Sequence, residues 1–228
     1  MTQAQNLHQS MTETAAYDGQ PAQLVTLSNV HGMEVTFMDI GATWLSCILP
    51  VKGNRREVLL GVNSMDNFEK QASYMGTTVG RYANRIANGR FKIDGQNYKL
   101  ETNQAGNTLH GGPNGFDKRR WNITEKTETS VVFTLESADG DQGFPGNLNV
   151  SVRYDITEDN RVSINYSEYT GNSQTGSKQN PPAWPYRWTL IWGSEVTRVF
   201  VRVSDSGLSG RLFGMFTSGA FPSSSKGL

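Results

Sequence analysis

The stretch LNVSVRYDITEDNRVSINYSEY, residues 148–169, alternates apolar and polar side chains on both sides of a short polar turn. Successive side chains of a β-strand point to opposite faces of the sheet, so this alternation places the apolar set on one face. The residues Glu158, Asp159 and Asn160 separate the two alternating halves. The stretch therefore predicts two consecutive strands joined by a turn.

The same kind of pattern recurs along much of the chain from residue 22 onward. Asp94-Gly95, within residues 89–101, predicts a hairpin with a type I′ turn, and only residues 64–71 favour a short helix, with Asn63 or Ser64 as its cap. We therefore expect residues 22–169 to be mostly strand, without a helix longer than about twelve residues, in an all-β sandwich or barrel. The other predicted strands are AQLVTLSNV (22–30), MEVTFMDIG (33–41), TWLSCILPV (43–51) and SVVFTLESA (130–138).

Composition places limits on the partners and the compartment. The 228 residues include 21 basic and 21 acidic side chains, and this balance favours neither nucleic acid nor an anionic membrane as a partner. A single cysteine, Cys47, cannot form an internal disulfide, which indicates a reducing compartment or indifference to redox state. The N-terminus does not resemble a signal peptide, and no apolar run reaches the length of a membrane span. We expect a soluble cytoplasmic protein.

The chain changes character after residue 170. Residues 171–228 hold six basic and two acidic residues, with three of the five tryptophans and several prolines and serines. Residues 195–206, EVTRVFVRVSDS, could form a strand, but the remainder has no sustained period. Three interpretations stay open for this tail: a flexible basic segment, a foreign reading frame, or a truncation.

His110 stands in the glycine-rich stretch GNTLHGGPNGFDKRRW, residues 106–121. Glycines beside it permit backbone conformations that let a ligand approach closely. An imidazole with an ordinary pKa near 6.5 can exchange protons with, or donate to, a substrate oxygen near neutral pH. The alternative is an ordinary surface histidine. We interpret His8 and His31 as a tail residue and a turn residue.

A second cluster of polar residues lies in VGRYANRIANGRF, residues 79–91. Guanidinium and amide groups together supply many hydrogen-bond donors and an acceptor, which suits a ligand with several hydroxyls. A turn with solvated arginines is the alternative. The residues concerned are Arg81, Asn84, Arg85, Asn88 and Arg90.

A third segment, DGDQGFPGNL at residues 139–148, is rich in turn residues and contains Phe144. This aromatic side chain is suited either to stacking on a pyranose or to anchoring the turn. Motifs for phosphate loops, dinucleotide folds and serine hydrolases do not occur, and neither does a set of cysteine and histidine metal ligands. We expect no cofactor and no metal.

Five segments, taken in order, resemble the aldose 1-epimerase (galactose mutarotase) family over about residues 17–169. The resemblance implies a large antiparallel β-sandwich of the galactose-mutarotase type, of which residues 17–169 are the N-terminal part and residues 170–228 an unmatched tail. It also implies a cofactor-free isomerase that interconverts the α and β anomers of galactose or glucose, as a monomer or weak homodimer. The segments are GATWLS (41–46), LLGVNSMDNF (59–68), GRYANRIANGRF (80–91), NTLHGGPNGFDKRRW (107–121) and DGDQGFPGNL (139–148).

The resemblance also implies the roles of particular residues. Asn84 and Arg85 match a family pair that binds sugar hydroxyls, and His110 matches a histidine that contacts the sugar near its ring oxygen and anomeric carbon. The family's general-acid histidine and general-base glutamate are not matched: no histidine follows His110, and Glu195 does not resemble the base motif. Two interpretations therefore stay open, an aldose 1-epimerase or an inactive fragment with at most weak carbohydrate binding.

Overall fold

The structure, a computed structural model, describes residues 3–170, 200–204 and 209–210. Its helices are α1 (Gln3–Thr12) and α2 (Met65–Lys70). Its strands are β1 (Leu24–Ser28), β2 (Glu34–Met38), β3 (Thr43–Val51), β4 (Asn54–Glu57), β5 (Arg85–Ile86), β6 (Arg90–Ile93), β7 (Gln96–Lys99), β8 (Thr108–Leu109), β9 (Asn122–Lys126), β10 (Ser130–Ser137), β11 (Leu148–Ile156), β12 (Val162–Thr170), β13 (Phe200–Ser204) and β14 (Ser209–Gly210).

The predicted dominance of strands over residues 22–169 is confirmed. The helix within this span, α2, has six residues, and the side chain of Ser64 caps it by accepting from the Asn67 N–H at 3.3 Å. The hairpin predicted at Asp94-Gly95 joins β6 to β7, and both turn residues have positive φ angles, 47° and 83°, as a type I′ turn requires. The tail predicted after residue 170 lies outside the described residues, apart from β13 and β14.

Two sheets form the framework of the described chain. The first sheet has the antiparallel order β1-β2-β3-β4, with a register shift between Thr36 and Phe37. The second has the order β14-β13-β12-β11-β10-β9, and β13 is its parallel member, paired with β12. Along β11, buried and half-buried side chains alternate without interruption, so one face of this sheet is covered.

The covered faces of the two sheets pack against each other. The rings of Phe37 in the first sheet and Tyr154 in the second lie 4.2 Å apart between centroids, and Phe133 packs edge-on to Tyr154 at 6.1 Å. The Tyr154 hydroxyl donates to the Ala42 carbonyl at 2.8 Å, so this polar atom is not buried without a partner. The described chain is therefore a β-sandwich with an apolar core between its two sheets.

Cys47 lies in β3 with its thiol in this core. The residue is 2% exposed, and burial, with a smaller contribution from Glu57, raises the pKa of the thiol to about 12. Since the thiolate is the reactive form, this cysteine is chemically inert at neutral pH.

Helix α1 was not predicted from the sequence, and the interpretation of His8 as a tail residue is wrong because His8 lies within this helix. Apart from Ala4, the helix is polar except for Leu7 and Met11, which are one turn apart and so share a face. Met11 is fully buried in a second apolar cluster with Met65 and Phe68 of α2. Two large apolar residues in ten were too few to give a clear helical pattern in the sequence.

His31 is an exposed residue in the turn between β1 and β2, as the sequence indicated. No helix among the described residues is long and apolar enough to cross a membrane.

Candidate active site

The two segments that carry Arg85 and His110 meet in a short antiparallel ladder. Strand β5 pairs with β8, with Arg85 opposite Leu109, and the His110 N–H donates to the Asn84 carbonyl at 3.1 Å. The structure thus brings Asn84, Arg85 and His110 together from loops about 25 residues apart.

His110 is held by its backbone and by one ring nitrogen. Its φ angle is 52°, it is 9% exposed, and its Nδ1 accepts from the Asn84 N–H at 3.1 Å. A nitrogen that accepts carries no proton, so in the neutral ring the proton is on Nε2. Burial, followed by the charge of Arg85, lowers the pKa of the imidazole, which favours this neutral form. His110 therefore presents an Nε2–H donor at neutral pH.

Asn84 and Arg85 are both exposed beside this imidazole. The Arg85 Nη1 donates to the Asn84 Oδ1 at 3.2 Å, and its Nε donates to the Gln104 Oε1 at 2.5 Å. These two bonds orient the guanidinium and leave its other N–H groups available to a ligand. Residues 84 and 85 thus supply a fixed set of donors at the surface.

Gln104 was not singled out by the sequence. It begins a tight turn in which the Gln104 N–H donates to the Asn107 carbonyl and the Gln104 carbonyl accepts from the Asn107 N–H. The two residues between them, Ala105 and Gly106, have positive φ angles. The glycine marks the turn, but nothing in the sequence shows that the turn reaches Arg85.

Tyr74 was also missed. Its half-buried ring lies against the His110 imidazole, with 4.5 Å between centroids and 57° between planes. Its φ angle of 54° is unusual for a tyrosine. The sequence around it, QASYMG, carries no pattern that distinguishes this ring from a core or surface aromatic.

Asp117 is a buried carboxyl beneath the His110 loop. A Cβ placed on Gly115 would lie 2.6 Å from both the Asp117 Oδ1 and the His110 carbonyl oxygen. Burial raises the pKa of Asp117 to about 6, against smaller lowering effects that include the charges of Lys118 and Arg119. The site thus contains a carboxyl that exchanges its proton close to neutral pH.

Arg81 has a structural role, although the sequence placed it among candidate hydroxyl-binding residues. It is 5% exposed and makes five hydrogen bonds of 2.7–3.0 Å to the loop at residues 137–146. Asn88 and Arg90 lie outside the cluster with His110: the Asn88 N–H donates to the Asn107 Oδ1, and Arg90 begins β6 of the neighbouring hairpin. Of the five residues in this cluster, two lie beside His110.

The segment at residues 139–148 supports the His110 loop from behind. The Gln142 Oε1 accepts from the Asn114 N–H at 3.0 Å, and Asp141 forms an ion pair with Arg119 at 2.5 Å. Phe144 is 2% exposed and stacks on Phe91, so it anchors the turn and does not face a ligand. Of the two interpretations of Phe144, the structural one is confirmed.

Close backbone contacts fix the geometry of the site. Gly111 has a φ angle of 93°, and a Cβ placed there would lie 1.6 Å from the Gly80 carbonyl oxygen. Only glycine allows this approach. Among the described residues, His, Cys, Asp and Glu side chains nowhere gather in a group of three that could hold a metal ion.

The two-sheet fold is a β-sandwich of the galactose-mutarotase type, and Asn84, Arg85 and His110 lie together on it. A model of the aldose 1-epimerase family matches residues 23–176, and the chain belongs to that family. The aldose 1-epimerase of Haemophilus influenzae is 59% identical over 152 residues, which cover 67% of this chain and 44% of that relative. That of Escherichia coli is 53% identical over 156 residues, covering 68% of this chain and 45% of the relative.

A solved structure shows the same likeness in three dimensions. The aldose epimerase homologue from C. elegans superposes with a TM-score of 0.62 at 33% identity, covering 66% of this chain and 46% of the homologue. The chain therefore spans a little under half the length of the relatives that it matches.

Proposed function

We propose that this protein has the site of an aldose 1-epimerase and binds an aldohexose, such as galactose or glucose, for interconversion of its α and β anomers. The observation that carries the proposal is the Nε2–H donor of His110 beside the exposed side chains of Asn84 and Arg85. Family membership supports the identity of the reaction.

The reaction opens the sugar ring and closes it on its other face. A base removes the proton of the anomeric hydroxyl, the bond between the anomeric carbon and the ring oxygen breaks, and an acid returns a proton to that oxygen. The aldehyde then rotates about its bond to C2, and the reverse steps close the ring. The protein exchanges only protons with the sugar and no oxidation or reduction takes place, so the reaction requires no cofactor.

In this scheme the described residues bind and polarise the sugar. Arg85 and Asn84 donate to hydroxyls, and the His110 Nε2–H donates to the ring oxygen, where negative charge develops as the ring opens. A neutral imidazole suits this role because its Nδ1 must remain unprotonated to accept from the Asn84 N–H. These residues orient the substrate and stabilise charge.

Proton transfer also needs a general acid and a general base. Their absence from the described residues would favour a second candidate function, carbohydrate binding without catalysis. No histidine follows His110 in the sequence, and the glutamate of the tail, Glu195, lies outside the described residues. A chain with the binding residues and without their acid and base partners is a non-catalytic carbohydrate-binding β-domain.

Sugar binding tests the part of the proposal that both candidates share. Galactose is titrated into the protein while amide chemical shifts are followed by NMR. Arg85→Ala should raise the galactose Kd about tenfold or more, because hydrogen bonds from a charged donor are the stronger kind. Arg56→Ala, which removes an exposed arginine from β4, is the matched control and should bind as the parent does. Binding unchanged by Arg85→Ala contradicts the proposed site.

Polarimetry separates the two candidates. An acid and a base each contribute about 10²–10⁴-fold to proton-transfer reactions, so the non-catalytic candidate predicts no acceleration of α-D-galactose mutarotation measurably above buffer. A faster rate that His110→Ala abolishes establishes the full epimerase, and Glu195→Gln is then the first variant to examine for the base. His31→Ala, at an exposed turn, controls for loss of a histidine.

A further inference from the structure

Tyr74 occupies a fixed position beside the His110 ring. The Tyr74 carbonyl accepts from both the N–H and the hydroxyl of Thr77, at 3.3 and 3.2 Å, which closes a tight turn. The next residues tie this turn to the framework: the Gly76 carbonyl accepts from the Trp44 N–H at 2.9 Å, and a Cβ on Gly76 would lie 2.1 Å from the Trp44 carbonyl. The ring of Tyr74 is therefore carried by a turn anchored on β3.

His110 needs a lateral support of this kind. Within the described residues its ring makes a single hydrogen bond, at Nδ1, and one bond permits the ring plane to tilt and to turn over about the Cβ–Cγ bond. A turned-over ring would exchange the positions of its carbon and nitrogen atoms and move Nε2 away from its direction.

We propose that Tyr74 is a positioning residue for His110, whose ring packs against the imidazole and holds it in the orientation with Nδ1 on the Asn84 N–H and Nε2–H toward the ligand. The contact between centroids, 4.5 Å at 57°, lies within the range that aromatic pairs favour. The biological purpose of this role rests on the proposed function, but the orientation of the ring can be measured without any sugar.

The charges around Tyr74 leave its ring neutral. Burial, followed by the charge of Asp117, raises the pKa of the phenol, while the charge of Arg85 lowers it. The phenol therefore stays protonated at neutral pH. Its hydroxyl makes no hydrogen bond to the described part of the chain, which suggests that the flat ring and not the hydroxyl performs the positioning.

The direct test observes the tautomer of His110. Two-bond ¹H–¹⁵N correlation spectra at pH 8 distinguish a ring protonated at Nε2 from one that exchanges between the two tautomers, and His110→Gln assigns the signals. We expect a single Nε2–H tautomer in the parent and in Tyr74→Phe, and averaged tautomers in Tyr74→Ala. Tyr98→Ala, which removes a half-buried tyrosine stacked on Phe91 at 5.2 Å, should leave the pattern unchanged.

A second variant keeps the test valid if Tyr74→Ala fails to fold. Tyr74→Leu fills much of the same space with an apolar side chain that is not flat, and amide spectra confirm the fold. Averaged tautomers in Tyr74→Leu, with rescue in Tyr74→Phe, support the proposal. A single Nε2–H tautomer in both the Ala and the Leu variants overturns it, and so does a parent protein that already shows averaged tautomers.

Galactose binding distinguishes this inference from the proposed function. If the parent binds galactose, Tyr74→Ala should raise the Kd about threefold to tenfold, as expected for loss of one aromatic contact. If the parent binds no galactose, the proposed function fails while the tautomer measurement still decides the role of Tyr74. Binding that is normal in a folded Tyr74→Ala variant overturns the positioning role.

Discussion

The hairpin turns of the described chain and the loops of the site both contain residues with left-handed backbone angles, but for different reasons. In the hairpins these residues are Lys52, Asp94 and Asn160, the first two followed directly by glycine. Their conformations follow from local turn chemistry. At the site, Tyr74 and His110 adopt the same region of backbone space, and contacts with distant segments hold them there.

This difference shows which part of the molecule stabilises the other. A non-glycine residue in the left-handed region costs about 1–3 kcal/mol when its surroundings impose the conformation. The apolar core between the sheets, to which Phe116 after the His110 loop also belongs, must offset that cost. We therefore expect the framework to tolerate damage to the site, and the site to depend on the framework.

The largest expected effect comes from the framework core. Phe133→Ala removes a fully buried ring between the sheets and should lower the free energy of unfolding by about 3–5 kcal/mol. Urea denaturation measures this change. Thr134→Ala, at the next and half-buried position of β10, is the control and should cost far less. Similar losses for the two variants would show that the sandwich core does not dominate stability.

A glycine of the site should be less replaceable than a glycine of a hairpin. Gly111→Ala places a Cβ 1.6 Å from the Gly80 carbonyl oxygen, so the loop must move, at a cost of about 3 kcal/mol or more and with loss of galactose binding. Gly95 also has a positive φ angle, but a Cβ placed there would meet no other atom within 4 Å, so Gly95→Ala should lower the free energy of unfolding by about 1–2 kcal/mol. Thermal unfolding with galactose titration compares them. Equal costs would mean that close packing does not distinguish the two regions.

The buried carboxyl of the site should destabilise the fold at alkaline pH. The folded-state pKa of Asp117, about 6, lies above the ordinary 3.8, so its favourable contribution is complete below about pH 4 and is lost as the pH rises through 6. Asp117→Asn removes the buried charge and should be more stable than the parent by on the order of 2 kcal/mol at pH 8. Near pH 4 the two proteins should be alike. A difference that does not change with pH would show that ionisation is not its cause.

The smallest expected effect concerns an ion pair at the surface of the framework. Arg120 holds Asp18 at 2.6 Å, and this hydrogen bond lowers the pKa of Asp18 to about 2. Its contribution is present above about pH 4 and is lost as the pH falls through 2. Solvent screens this exposed carboxyl, so Asp18→Asn should cost under about 1 kcal/mol at pH 6. Glu69→Gln, on the exposed face of α2, is the control. A loss of more than about 2 kcal/mol in the free energy of unfolding would show that Asp18 contributes far more to stability than an exposed ion pair does.

The sequence predicted the parts of the molecule whose causes are local. The alternation of apolar and polar residues predicted β11 and β12, and the pair Asp94-Gly95 predicted the hairpin between β6 and β7. Both signals are local, because the side-chain period and turn chemistry act over a few residues. Helix α1, strands β4 and β9 and the two-residue strands β5 and β8 were not predicted, because the pattern of each is weak or very short. Met11 of α1 is buried through contacts with segments distant in the sequence, among them α2.

The residues of the candidate site were likewise predicted only in part. The resemblance singled out Asn84, Arg85 and His110, which the structure brings together. It gave no sign of Tyr74 or Gln104, because their contacts with His110 and Arg85 join segments far apart in the sequence. The arginine beside these, Arg81, has the same residue type as Arg85 and a wholly different environment. Residue type alone cannot separate a buried arginine from an exposed one.

The inert thiol of Cys47 makes the protein suitable for selective chemical labelling. Because the chain has a single cysteine and that one is buried, maleimide reagents at neutral pH should leave the folded protein unmodified. A second cysteine introduced at an exposed position, such as Ala105 in the turn beside Arg85, would then be the sole point of attachment. An environment-sensitive dye placed there would report on the proposed sugar binding as a change in fluorescence, without any other alteration to the chain.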